Sequence, residues 1–358
     1  MKILHLIQKQ QLRGVEVFTA QLSSHLEAMG HEVLLVTLVA GTDVLPFKGR
    51  IEYIGARLSR KWWDVAGWKR LAALIRSFEP DVVQANAADT LKYAVLSKLF
   101  FRWKQPLFYR NASVMSRYTT SFVSKSITRL LLKQVDHVLS VSRVSAADLQ
   151  YSFGLLPDRI SVLPIGVEPV EIRNDLFRVQ PGFHLVHVGG FTFEKNHAGL
   201  VRIFGQLHKQ LPDAHLWLVG DGPLRGATEQ QVHALGLQDV VTFTGSRSNA
   251  VDYIASADVF LLPSVMEGLP AVILEAFYAE TAVLAYAVGA IPEMVTESTG
   301  WLVPVGDEQA LVRLLLEIRT RSKGQIEERT KQAKKLVEDS FLNPVVARRF
   351  ADFYQTFQ

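Results

Sequence analysis

Two doubly wound α/β domains, each a parallel sheet flanked by helices, are what this sequence predicts, and three features carry the prediction. At 358 residues the chain exceeds what one hydrophobic core usually organises. Short apolar runs alternate with helical stretches, the pattern of parallel strands joined by crossover helices. That alternation starts afresh after Pro181-Gly182, a turn-forming pair. With 48% hydrophobic and 21% charged residues and no low-complexity tract, the whole chain is expected to fold.

Residues 3–7 read as the first strand. This run is too short for a signal peptide, and polar Gln8 to Gln11 follow at once. A helix is expected near 16–29, capped by Gly30, which adopts positive φ without strain, and His31-Glu32 leads into a strand over 32–39. A helix near 65–77 and strands over 82–84, 107–109 and 138–142 continue the series, which Val162 to Pro169 closes. Residues 170–182 carry the Pro, Gly and charge content of a linker. The boundary is placed near residue 175, giving domains 1–175 and 176–342, with 343–358 assigned back to the first. The second series comprises strands over 184–188, 215–219, 241–244, 259–262 and 283–286, and helices near 198–210 and 223–235. Ligands of such sheets bind beyond the carboxyl ends of the strands, so the two domains are expected to face each other across a cleft.

No apolar stretch approaches the roughly 20 residues that span a bilayer, and a cytoplasmic protein is expected. The absence of cysteine removes thiolate chemistry and disulfides. None of the ten histidines pairs with carboxylates in a metal or triad pattern, so no metal and no cofactor are expected. Residues 1–175 hold 23 Lys and Arg against 15 Asp and Glu, while the remainder holds 16 against 20. Within 59–133 the ratio is 14 to 4, with tryptophans among the charges in Arg60-Lys61-Trp62-Trp63 and Arg102-Trp103-Lys104. That mixture fits peripheral contact with an anionic membrane, on the inner face of the cytoplasmic membrane, or alternatively a solvated basic face with tryptophans in the core. No nucleic-acid partner is expected.

The most informative stretch runs from Leu262-Pro263-Ser264 through Glu267-Gly268-Leu269-Pro270 to Glu275-Ala276, from a buried strand through a turn into a helix. Pro270 suits a first helical position, where its missing N–H costs nothing. The unpaired N–H groups of the helix start favour a diphosphate, and Gly268 permits close approach. Glu267 and Glu275 flank that helix start, and ionised carboxyls accept hydrogen bonds from paired sugar or ribose hydroxyls. The outline is that of a nucleotide-sugar site.

Two glutamates at this spacing after a Pro-Ser strand end resemble the signature of retaining glycosyltransferases of the GT-B fold, notably glycosyltransferase family 4. The resemblance continues in Val188-Gly189-Gly190-Phe191-Thr192-Phe193-Glu194-Lys195-Asn196-His197, in Leu218-Val219-Gly220-Asp221-Gly222-Pro223, in Val240-Val241-Thr242-Phe243-Thr244-Gly245, in Ala287-Val288-Gly289-Ala290-Ile291-Pro292-Glu293 and in Gly300-Trp301-Leu302-Val303. It is dense over 184–306 and looser in the first domain, where Arg13-Gly14-Val15-Glu16 resembles the family's glycine-rich turn.

The resemblance implies a sugar moved from a nucleoside-diphosphate sugar to a glycan, lipid-linked or other hydroxyl acceptor, in surface polysaccharide or glycoconjugate assembly. Glu275 would hold the ribose, Glu267 a donor-sugar hydroxyl, and Lys195 the diphosphate as charge grows on it, so Lys195 and Glu267 are the catalytic candidates. Gly14, Gly189, Gly190, Gly245, Arg247, Gly268, Leu269 and Pro270 complete the donor side. Two departures stand out. Gly190 occupies the place of a family arginine, for which Arg110 or Arg247 is the substitute available. Asn86 and Asn111-Ala112 stand where the family carries histidines, so Glu16, Asn86, Arg110 and Asn111 are the acceptor-side candidates. A non-catalytic donor-binding partner subunit and a GT-B sugar-nucleotide epimerase are the rival readings. The stretch near 344–354 resembles the segment that returns to the first domain.

Overall fold

The computed structural model describes residues 1–177 and 181–357. Residues 178–180 of the expected linker, and Gln358 of the expected C-terminal segment, lie outside the described residues. The chain divides into two compact units, one of residues 1–168 together with 341–357, the other spanning Pro169–Ser340.

The first unit is built on β1 (Lys2–Lys9), α1 (Gly14–Ala28), β2 (Glu32–Val39), β3 (Arg50–Tyr53), α2 (Val65–Phe78), β4 (Val82–Asn86), α3 (Ala88–Phe101), β5 (Leu107–Asn111), α4 (Phe122–Leu132), β6 (His137–Ser140), α5 (Arg143–Phe153) and β7 (Ile160–Val162). Its seven strands lie in the order β3-β2-β1-β4-β5-β6-β7, every neighbouring pair parallel. Helices cover both faces, which is why β2 reads as a nearly unbroken apolar run and the residues of β4 are buried throughout. Leu4, Leu6, Val83, Ala85 and Leu107 pack on one side with Leu71, Ile75 and Leu132; Ile3, Ile7 and Phe108 pack on the other with Phe18 and Leu22.

The second unit contains β8 (Phe183–Val188), α6 (His197–His208), β9 (Ala214–Val219), α7 (Arg225–Ala234), β10 (Val241–Gly245), α8 (Ala250–Ala255), β11 (Val259–Leu262), α9 (Ala271–Tyr278), β12 (Ala282–Tyr286), α10 (Ile291–Met294), β13 (Trp301–Val303), α11 (Glu308–Thr320) and α12 (Lys323–Ser340). Six parallel strands run β10-β9-β8-β11-β12-β13. The last helix, α13 (Asn343–Gln355), lies against α1 in the first unit. Phe350 meets Phe18 with ring centroids 6.1 Å apart, and Tyr354 stacks on Phe108 at 5.9 Å with planes 3° apart. Paired hydrogen bonds from Val167 N to Phe341 O and from Asn343 N to Val167 O, both 2.9 Å, fix its entry.

Two local expectations are corrected, and one open alternative is decided. The strand expected over 138–142 ends at Ser140, because the Ser142 hydroxyl accepts from Ser145 N at 3.1 Å and caps α5. Pro270 does not begin α9 but precedes it at the cap, with extended φ and ψ of −76° and 113°. Of the two readings open for the tryptophans among the basic residues, Trp103 takes the core one: it is 5% exposed, its indole N–H donates to Ser97 Oγ at 3.1 Å, and the Lys98 ammonium lies 5.1 Å above its ring.

Candidate functional site

In each sheet the chain order reverses between two adjacent strands, β1 and β4 in the first unit and β8 and β11 in the second. The segments leaving the carboxyl ends of such a pair diverge to opposite faces and open a crevice, the usual ligand site of this architecture. Lys195, Glu267, Gly14, Glu16 and Asn86 lie at or after the ends of the strands of these two pairs, while Gly245, Arg247, Arg110 and Asn111 lie at or after the ends of strands farther out.

At the switch point of the second unit, Gly189 to Asn196 leaves β8 and Pro263 to Pro270 leaves β11. Two bonds stitch the segments together: Val265 N donates to Glu194 O at 2.8 Å, and Asn196 Nδ2 to Pro263 O at 3.0 Å. Asn196 is in the left-handed region at φ 54° and caps α6 by accepting from Gly199 N. This scaffold brings Lys195 Nζ to 2.7 Å from Glu267 Oε1, with the two side chains 21% and 10% exposed. Seventy-two residues of chain separate them.

Glycine is required behind this pair. Gly289, at φ 58°, would place a Cβ 2.1 Å from Glu267 O, and Gly220, at φ 140°, would place one 2.1 Å from Gly189 O. A Cβ on Gly189 would sit 3.3 Å from Lys195 Cδ and 3.2 Å from His187 Nε2, so that position is tight as well. Gly190 has room, and Gly14 has none of the protein within 4 Å of its missing Cβ. Leu269 and Gly268 form the turn into α9, where Ala290 N donates to Gly268 O at 3.0 Å.

Glu275 differs from Glu267. It projects from α9 with its carboxylate mostly buried and no hydrogen bond or ion pair to it among the described residues, and desolvation raises its pKa above the usual carboxylate range. A largely buried, partnerless carboxylate is costly to the free protein and is a group that a ligand's hydroxyls can engage. Farther along the same sheet edge, Gly245 ends β10 at φ 72° and Arg247 stands exposed in the following turn. Nearby Arg225 is already engaged, by Glu229 at 2.8 Å and Asp221 at 3.3 Å.

Two buried histidines back the Lys195 loop, and sequence reasoning assigned them no role. His187 Nδ1 donates to Leu261 O at 2.9 Å, which leaves Nε2 without a partner. His197 stacks on Phe191 with centroids 3.9 Å apart. Burial, reinforced for His187 by His197 and for both by Lys195, pushes their pKa values down, that of His197 to about 4 and that of His187 well below the usual value. Both are therefore neutral near pH 7 and leave Lys195 as the cation of the loop.

The switch point of the first unit is arranged otherwise. Asn86, at the end of β4, is fully buried: it accepts from Gln84 Nε2 at 3.0 Å and donates to Leu6 O at 3.3 Å. Asn111 is 1% exposed and donates to Ser113 O at 2.9 Å. Glu16 accepts from Gln11 at 3.0 Å, and burial raises its pKa. Arg110 is 1% exposed, with its guanidinium 4.2 Å above the Phe18 ring and Nε and Nη1 unpartnered; desolvation lowers its pKa to about 10. Beside it runs a buried polar chain beneath α13: Ser23 Oγ to His5 Nδ1 at 2.8 Å, His5 Nε2 to Tyr354 at 3.1 Å, and the Tyr354 hydroxyl donating to Gln84 Oε1 at 2.6 Å. His5 is driven down to about 3 by burial and by Arg110, so it is neutral. Ala87, directly after β4, sits at φ 89° and ψ 164°, a conformation natural only to glycine.

Comparison with known proteins follows the same division. The model described as "Glycosyltransferase Family 4" matches residues 12–171, and that described as "Glycosyl transferases group 1" matches 182–320. The lipopolysaccharide core biosynthesis glycosyltransferase LpsD of Rhizobium meliloti is 27% identical over 290 residues, covering 76% of this chain and 77% of that protein. The amylovoran biosynthesis glycosyltransferase AmsK of Erwinia amylovora is 26% identical over 300 residues, covering 80% and 72%. Among solved structures, HepE of Anabaena with UDP and glucose superposes with a TM-score of 0.85 at 19% identity, covering 99% of this chain and all of that one. WaaG, a glycosyltransferase of lipopolysaccharide biosynthesis, gives 0.77 at 18%, covering 98% and 99%. At these identities the superpositions speak to the fold.

Proposed function

Since the chain belongs to glycosyltransferase family 4, a glycosyltransferase of the GT-B fold, we propose that it moves a sugar, with retention at the anomeric carbon, from a nucleoside-diphosphate sugar held by the second unit. The acceptor in this reading is a hydroxyl of a glycan or lipid-linked glycan under assembly, as in the pathways for which the relatives LpsD and AmsK are named.

The observation that carries the reading is the Lys195–Glu267 pair at the switch point, with Glu275 left unpartnered one short helix away. A diphosphate entering there takes Lys195 from Glu267, so that one carboxylate becomes available to a sugar hydroxyl as the cation turns to the phosphates. Glu275 accepts the paired hydroxyls of the ribose, which repays its desolvation. In the transfer the bond between the anomeric carbon and the β-phosphate oxygen breaks and the bond to the acceptor oxygen forms. The acceptor proton passes to the departing phosphate oxygen. Lys195 stabilises charge that grows on that oxygen, which lowers the barrier more than it tightens ground-state binding. No step calls for a metal or cofactor.

Titration calorimetry with UDP, GDP and ADP and their sugars, run on wild type, Glu275→Ala and Lys195→Ala, tests the assignment. One nucleotide is expected to bind, with each substitution weakening it about tenfold, the effect of losing one charge-assisted hydrogen bond. Folded wild-type protein that binds none of the three overturns it. Binding without any donor turnover favours the partner-subunit reading, which Gly190 in place of the family arginine motivates.

A further inference from the structure

Among the exposed apolar side chains of the first unit, one helix carries a cluster. Four of them lie on α4: Phe122 is 84% exposed, Val123 66%, Ile127 37% and Leu130 62%. With 100° per residue they fall on a single stripe, in which Ser126 is the small polar residue. The opposite side of the helix is the one that packs inward, through Leu131 and Leu132 in the core beneath α3 and α5. The helix is thus apolar on two faces while only one is covered. A helix on the surface of a globular unit ordinarily presents charged and polar groups outward, and a contiguous apolar patch of this kind marks an interaction site.

The charges on α4 narrow the partner. Lys125, Arg129 and Lys133 follow one another at four-residue spacing and form a stripe along one flank of the apolar face. Arg117 stands exposed in the turn before the helix. Between Asp89 and Asp136 the chain has nine Lys and Arg and no acidic residue. Arg129 is held in place by its bonds to Phe153 O at 3.0 Å and Ser152 O at 3.2 Å, so the stripe is anchored to α5. Ser121 caps α4 by accepting from Ser124 N at 3.1 Å, which fixes Phe122 at the first helical position. A protein partner would have to supply an apolar groove together with a line of acids; an anionic bilayer supplies both everywhere, acyl chains below and phosphates above.

We propose that α4 is a membrane-docking helix that lies in the headgroup layer of an anionic bilayer, with Phe122, Val123, Ile127 and Leu130 among the upper acyl carbons and Lys125, Arg129 and Lys133 at the lipid phosphates. No helix among the described residues is long and apolar enough to cross a membrane, and α4 is a surface contact. Trp63, 84% exposed, does not share this helix and is not needed by the arrangement. The docking stands apart from the donor reading, because vesicle binding requires neither nucleotide nor turnover.

Co-sedimentation of the full chain with vesicles of phosphatidylcholine alone and of phosphatidylcholine mixed with phosphatidylglycerol is the test. Wild type is expected to pellet with the mixed vesicles, to do so less in high salt, and to stay in solution with phosphatidylcholine alone. Phe122→Ser with Leu130→Ser, both exposed and so compatible with folding, is expected to lower partitioning at least tenfold. Lys125→Glu with Lys133→Glu should abolish the preference for phosphatidylglycerol, while Leu235→Ser, an exposed apolar position on the second unit, should change nothing. Failure of wild type to bind mixed vesicles, or binding that survives Phe122→Ser with Leu130→Ser, overturns the proposal. So does a vesicle-free dimer that those substitutions dissociate, since α4 would then be covered by a second copy of the chain.

Discussion

The two switch points are alike in topology and opposite in how they treat polar groups. In the second unit a cation and a carboxylate meet in a partly open setting, and Glu275 goes without a partner. In the first, Asn86, Asn111 and Glu16 spend their hydrogen bonds on the protein itself, and His5, Gln84 and Tyr354 bind one another beneath α13. Unsatisfied or exchangeable polar groups are what a ligand can engage, whereas satisfied buried ones hold a fold together. The contrast separates a place ready to take charge from one whose polarity, the Arg110 guanidinium apart, is already consumed by the fold.

Substitutions at Lys195 and Arg110 probe that contrast most strongly. Lys195→Met is expected to slow release of nucleotide from the donor by a hundredfold or more, about 3 kcal/mol of barrier, with little change in melting temperature. Arg110→Met should leave donor turnover intact and match or raise the melting temperature, because an unpaired buried cation is replaced by an apolar side chain of similar length. An assay of nucleoside-diphosphate release and thermal melts on both variants check this. Equal losses of turnover would erase the distinction between the two sites.

Glu275 offers a smaller effect with a defined pH dependence. Its pKa is raised in the folded protein, so the folded state holds the proton more tightly than the unfolded chain. The desolvation penalty is present at pH above the raised pKa and disappears as pH falls through it towards the ordinary value. Glu275→Gln is therefore expected to stabilise the nucleotide-free protein by about 1 kcal/mol near neutrality, an advantage that shrinks on acidification, while weakening nucleotide binding. Melting curves between mildly acidic and neutral pH, with and without nucleotide, read both parts. A variant less stable than wild type at neutral pH would show that Glu275 has a partner in the free protein.

Ala87 gives the smallest effect. Glycine is relaxed at φ 89° where alanine is not, so Ala87→Gly is expected to gain up to about 1 kcal/mol after the added freedom of the unfolded chain is set against the relieved strain. Chemical denaturation measures it, and a clear loss would mean that the conformation at the end of β4 is not strained.

How far the sequence could be read tracks the distance over which each feature is determined. The alternation of strands and helices rests on local apolar patterns, and the order of motifs from Val188 to Val303 sits in the turns after successive strands, so both sheets and the placement of Lys195, Glu267 and Glu275 near the ends of β8 and β11 were legible. Elements with weak local patterns were not: β3, four residues with a half-buried pattern, carries no clear alternation. The state of the first switch point was hidden for another reason. Gln84 is occupied by Tyr354, 270 residues away, and no spacing rule near residue 84 reports that. Trp103 stayed undecided between surface and core because of its charged neighbours, whose long side chains reach solvent while the indole turns inward. The apolar stripe of α4 is periodic in the sequence, but periodicity does not say which of two apolar faces the core will take.

The return of α13 to the first unit also sets a timetable for biosynthesis. Residues 169–340 are contiguous and can assemble as soon as they have left the ribosome, whereas the earlier-made first unit waits for Phe350 and Tyr354 to cover Phe18, Phe108 and His5. The part made first is finished last. Throughout the translation of the second unit the nascent chain carries an uncapped apolar sheet face, a natural client surface for chaperones.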